Sequence, residues 1–159
     1  MCIKKLEDVF NEVLNGDVLK NALDFAEFLN ANEIIQADQH AMHYKGECVC
    51  YVDTRDESHS WLVWTAGDYS NEHEDFPIDK QTKEIAWAHA NKCGSCEGVD
   101  CKPGKTKIIF GKDFANICSG ADVAMCFCNP SDNALECLKK LVEMRKHTIN
   151  HFSDKSFRS

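Results

Sequence analysis

Residues 48–65 read CVCYVDTRDESHSWLVWT. Cys48, Cys50 and Val52 alternate with Val49, Tyr51 and Asp53, the period of two expected of a strand with one face buried. Many of these residues are β-branched or aromatic, types that fit a pleated surface. The polar run 54–58 breaks the alternation as a hairpin loop, and residues 61–65 return as a second strand. Trp61 and Trp64, three apart on that strand, face opposite sides, so one belongs to the core and the other to a groove or interface.

Moving outward, the period changes to that of helices. Leu6, Val9, Phe10, Val13 and Leu14 recur at three- and four-residue spacing, and Asn15-Gly16 is a natural break. A second helix begins near Asp17 and carries Val18, Leu19, Ala22, Leu23, Phe25, Ala26 and Leu29 along its apolar face. A further strand is expected around 34–43, and the acidic stretch 67–76 reads as an exposed loop. Beyond Pro77 a third helix is expected over 79–91, then a strand over 123–127. A final helix, capped by Ser131 or Asp132, runs to about His151 on the stripe Ala134, Leu135, Leu138, Leu141, Val142 and Met144. The fold class is therefore α+β, an antiparallel sheet packed with helices plus a cysteine-rich metal-binding loop. The expected organisation is one domain over 1–152 with the loop at about 92–119, and a flexible tail over 153–159.

Composition narrows the function. Lys and Arg number 18 against 26 Asp and Glu, a net charge of −8. That balance excludes a partner held by phosphate charge, so neither nucleic acid nor an anionic membrane surface is expected. No apolar run is long enough to span a bilayer. The opening MCIKKLEDVF turns acidic before any apolar core of a signal peptide, so a cytoplasmic location is expected. Ten cysteines in a reducing compartment require an account other than disulfides.

Four of them supply the chemistry. Cys93 and Cys96 have the two-residue spacing that lets two thiolates grip one ion through a tight turn, and Cys101 adds a third donor after four more residues. Gly94 and Gly98 let the chain crowd its amides towards the sulfurs and double back. Cys118 can close a tetrahedral zinc site. His89, Asp100, Cys126 or a water are the alternatives for that fourth position, and a water would leave it open for catalysis. Lys92, Lys102, Lys105, Lys107 and Lys112 are close enough in sequence to offset the charge of a four-thiolate zinc centre.

Competing readings of this loop are weaker. A thioredoxin-type dithiol needs its first cysteine at a helix N-terminus, whereas here a helix precedes Cys93. Gly98 and Gly104 enclose five residues where a phosphate-binding loop requires four. An iron–sulfur cluster of plant type would reverse the order of the two spacings, which leaves it a lesser option than zinc. Elsewhere, Cys48 with Cys50 and Cys126 with Cys128 form pairs that alternation places each on one strand face. Were the strands neighbours, four sulfurs could converge; otherwise they are small core residues. His147 and His151 are one helical turn apart, an arrangement suited to one metal, but they, like His40 and His43, read as surface or capping residues, and His73 in the acidic run 71–75 reads as solvated charge. Trp61, Trp64, Trp87, Tyr51 and Phe127 could together line a pocket for a small-molecule ligand. No nucleophile with a base and no positioned carboxylate pair appears, which favours a non-enzymatic role.

Residues 84–118 resemble a group of small uncharacterised proteins from anaerobic Firmicutes. The shared pattern is Ile85-Ala86-Trp87, Cys93 and Cys96, Cys101 with Pro103-Gly104-Lys105, the run from Ile109 to Phe114, and Cys118. The resemblance covers about a quarter of the chain. It implies that Cys118 partners the other three cysteines and implies no activity. The expectation is a zinc-binding module whose ion pins a loop with little core of its own. The alternatives are a metalloenzyme with an open coordination position and a thiol redox sensor using Cys93 and Cys96. A dimer is compatible with the acidic surface and an exposed Trp.

Overall fold

Asn15 stands between two helices, α1 (Leu6–Val13) and α2 (Gly16–Ala31), where the backbone is extended at both Leu14 and Asn15. This computed structural model describes residues 3–67, 69–70, 76–90, 105–117 and 123–157. Leu6 and Phe10 from the first helix, Leu14 just beyond its end, and Ala22, Phe25, Ala26 and Leu29 from the second are buried.

The stretch 34–43 is two strands, β1 (Ile35–Gln36) and β2 (Ala41–Tyr44), paired antiparallel. Asp38 breaks the single strand expected there. Its Oδ1 accepts hydrogen bonds from the amides of His40 and Ala41, at 2.8 and 2.7 Å, which folds the chain back as an Asx turn. Next come β3 (Glu47–Arg55) and β4 (Ser60–Ala66), the hairpin read from residues 48–65. With β7 (Val123–Cys128) they form one antiparallel sheet of order β1-β2-β3-β4-β7.

Paired residues share a face, so the register divides the sheet. Cys50, Thr65 and Met125 form one row and Val52, Val63 and Phe127 the next; all are buried under the helices. Trp61 belongs to this face and is fully buried, 5.4 Å from Phe10 and 5.7 Å from Phe25 between ring centroids. Tyr51, Trp64 and Cys126 form a row on the opposite face. The two tryptophans thus separate as alternation requires.

Helix α3 (Lys80–Ala88) is capped by Asp79, whose Oδ1 accepts from the Thr82 amide at 2.8 Å. It stops three residues before the expected end at 91. The His89 carbonyl accepts from the Cys126 amide at 2.9 Å and Ala90 bridges Met125, so these two residues are drawn onto the edge of β7. Helix α4 (Asp132–Phe157) buries every residue of its expected stripe, plus Cys137 and Ile149. It runs past His151 through most of the segment read as a tail, because residues 152–157 contain neither Gly nor Pro to halt propagation.

Two departures concern loops. Tyr69, in the stretch read as exposed, is buried, and its hydroxyl donates to the carbonyls of Leu141 and Ala66. Beside it Gly67 holds φ at +121°, and a Cβ there would stand 2.8 Å from Cδ of Arg145. Within the stretch read as a cysteine-rich loop lies a separate hairpin, β5 (Lys105–Ile109) and β6 (Lys112–Ile117). Its two-residue turn, Phe110-Gly111, has φ of +47° and +80°. Positive φ at both positions is the requirement of the tight hairpin turn that matches strand twist, usually met by Asn-Gly or Asp-Gly. One core cluster joins residues of α1, α2, α3, α4 and the sheet with Ile109 and Phe110 from this hairpin.

Candidate metal centre

Cys93, Cys96, Cys101 and Cys118 lie outside the described residues, as do Gly94, Gly98, Asp100, Lys92 and Lys102. What is described is the frame to which they are tethered. Four residues bound the two segments: Ala90 and Lys105 on one side of the hairpin, Ile117 and Val123 on the other. Lys105 is the register partner of Ile117, so the open end of the hairpin presents the exit from the first segment beside the entry to the second. Antiparallel partners have Cα atoms about 4.5–5.5 Å apart.

The closed end of the hairpin is fixed to the body. The Phe110 amide donates to the Tyr69 carbonyl at 2.7 Å and the Gly111 amide to the Ser70 carbonyl at 3.0 Å. The Trp87 indole N–H donates to the Ile109 carbonyl at 2.7 Å. Lys112 holds its ammonium 5.0 Å from the Trp87 ring centre and 5.5 Å from that of Phe114. This lysine is therefore engaged at the tip. Lys105 is exposed at the open end.

His89, a sequence-level alternative for the fourth donor, is fixed in orientation. Its Nδ1 is 2.8 Å from the Ile85 carbonyl and its ring stacks on Phe127 at 4.3 Å. A carbonyl can only accept, so Nδ1 donates in this contact, which closes the end of α3.

The other described cysteines do not assemble a second site. Strand β4 lies between β3 and β7, so the two pairs are separated by two inter-strand spacings, about 9–10 Å. A bulge also divides the first pair. Met42 pairs with Cys50 but the next residue, His43, pairs with Cys48, so the two sulfurs face opposite sides and Val49 is the extra residue. Cys50 is fully buried, and burial raises its thiol pKa far above the ordinary range. Burial likewise raises Cys48, pushes Cys126 up to about 11 with a further contribution from Cys128, and pushes Cys137 up to about 12. Protonated thiols of this kind are poor ligands and poor nucleophiles. Among the described residues no group of three or more His, Cys, Asp or Glu side chains is arranged to hold a metal ion.

The expected aromatic pocket is not formed, because its members are divided. Trp61 and Phe127 are in the core, Tyr51 and Trp64 are on the other sheet face, and Trp87 is at the hairpin tip. Alternation signalled the first division; the third position needed the unrecognised hairpin. A separate groove of about 270 Å³ runs between α1 and β3, with an apolar floor including Leu6 and Val52 and His40 and Asp53 at its rim. His40 there contacts the Val52 carbonyl at 3.2 Å and Asp53 at 3.6 Å. No helix among the described residues is long and apolar enough to cross a membrane. Comparison of the chain with protein-family models, with curated proteins and with solved structures gives no match in any of the three.

Proposed function

We propose that the chain is a zinc-binding α+β protein, a binding or regulatory module in which Cys93, Cys96, Cys101 and Cys118 hold the ion as thiolates. Hairpin register is the observation that carries this reading. With Lys105 opposite Ile117, Cys118 follows one partner directly and Cys101 precedes the other by four residues, a reach of at most ~14 Å. Two donors remote in sequence are thereby tethered to one end of one hairpin. The C-x-x-C pair then needs to meet that end from the Ala90 side. Four thiolates suit a soft, tetrahedral ion, and a closed set of this kind serves structure. The cytoplasmic location expected from the sequence keeps such thiols reduced.

The test is metal content by mass spectrometry on protein purified anaerobically, without a chelator or a metal-affinity tag. About one zinc per chain is expected, falling well below half occupancy in Cys93→Ser and in Cys101→Ser. Wild-type protein that is folded and metal-free overturns the proposal. Cys118→Ser tests the fourth position: loss of zinc supports the closed site. Zinc retained at wild-type affinity removes Cys118 from the ligand set.

A further inference from the structure

The groove between α1 and β3, about 270 Å³ in volume, combines an apolar floor with an acidic rim. Leu6, Val9 and Val13 recur at helical spacing along α1, and Val52 of β3 completes the floor. Val9 and Val13 are only half-buried there, so they keep apolar surface to offer. The N-terminal segment walls one end. Gln36 Oε1 accepts from the Leu6 amide at 2.9 Å and Gln39 Oε1 from the Lys4 amide at 3.3 Å. Lys4, so held, pairs its ammonium with the Glu12 carboxylate.

The rest of the rim is acidic. The Asp53 carboxylate accepts from the Thr54 amide at 2.9 Å and faces His40 at 3.6 Å and Arg55 at 3.7 Å. Asp56 is exposed, and its carboxylate has no partner among the described residues. Three carboxylates therefore line the groove against one lysine, which Glu12 already engages, and this balance disfavours an anionic ligand. A bare metal ion is not suited either, since no three described His, Cys, Asp or Glu side chains are grouped to hold one. An organic cation satisfies both parts of the groove, its charge meeting the rim and its apolar body the floor.

We propose that this groove binds a small primary ammonium compound, with its head at Asp53 and Asp56 and its body on Val9, Val13 and Val52. The volume is at the low end for ligand sites, which limits the body to one ring or a short alkyl chain. The proposal needs no metal and stands apart from the zinc reading.

The test is a titration of the full chain with 2-phenylethylammonium, followed in proton–nitrogen correlation spectra. Saturable shifts are expected at the amides of Val9, Val13 and residues 52–56, with a Kd of about 1 mM. Asp56→Asn, in an exposed loop, is expected to bind about threefold more weakly, with the remainder of its spectrum unchanged. Neutral 2-phenylethanol, which loses both carboxylate contacts, should bind about fivefold more weakly than the amine. Ethylammonium, which lacks the ring, should bind at least about tenfold more weakly. The absence of saturable shifts at these amides overturns the proposal, as does wild-type affinity in Asp56→Asn. Equal affinity for the alcohol or for ethylammonium overturns it as well.

Discussion

Thr65 presents the simplest energetic question at the level of one residue. It is fully buried in the row between Cys50 and Met125, and its hydroxyl has no hydrogen-bond partner among the described residues. A buried hydroxyl that loses its water without a replacement is destabilising. Thr65→Val keeps the shape and removes that group, so it is expected to raise stability by about 1 kcal/mol in urea unfolding. A loss of stability would mean that the hydroxyl is satisfied in solution. The Trp61 indole N–H is similarly unpartnered among the described residues, but its ring packs on Phe10 and Phe25, and its removal would open a large cavity. At this scale the sequence was legible where alternation alone decides direction, as for Trp61 and Trp64. It was illegible for Cys48 and Cys50. One extra residue, Val49, turns one sulfur away from the other, and nothing in the local pattern marks a bulge.

Among the elements, α3 shows how a cap becomes a pH dependence. The Asp79 carboxylate accepts hydrogen bonds from the Thr82 side chain and amide and from Lys140, and these hold its pKa down to about 2 against an ordinary 3.8. A group lowered in the folded state stabilises it above the unfolded pKa, and that contribution disappears as pH falls through the folded value. Asp79→Ala is therefore expected to melt at a lower temperature than wild type at pH 7. The gap should close between about pH 4 and pH 2, checked by thermal melts across that range. A gap that persists at pH 2 would assign the effect to packing. Helices α1, α2 and α4 were readable because their apolar residues repeat along one face. Hairpin β5–β6 was not, because Phe110-Gly111 lacks the usual turn residues and its strands are short and rich in lysine. The same irregularity that hid the hairpin gives Phe110 its seat on Tyr69. The end of α3 was misplaced for a related reason: pairing of Ala90 with Met125 is a long-range contact that helical periodicity does not encode.

For the molecule as a whole, the question is what the zinc ion would hold together. The cluster that includes Phe10, Phe25, Trp61, Phe127, Leu138 and Leu141 is formed by the helices and the five-stranded sheet, and all six side chains are fully buried. Burial of a large apolar side chain contributes about 1.5–3 kcal/mol, so this core has its own source of stability. Among the described residues the hairpin joins this cluster through Ile109 and Phe110, with Phe114 against it, and Ile117 at its open end is also fully buried. The ion would therefore organise the segments around the open end of the hairpin and leave the main fold in place. The four proposed ligands and the buried thiols should then respond to different treatments. With zinc bound, Cys93, Cys96, Cys101 and Cys118 are expected to react slowly with an alkylating reagent, and a strong chelator should make them fast at room temperature. Cys50 and Cys137 have thiols kept protonated by burial and are expected to stay slow until the protein unfolds thermally. Peptide-resolved alkylation, followed across a melt with and without chelator, reads both groups in one experiment. If the chelator alone exposes Cys50 and Cys137, the ion supports the whole fold and the core is not self-sufficient. If it exposes only the proposed ligands while the cooperative melt of the Trp61 environment survives, the zinc site is a local brace on an independently stable sheet.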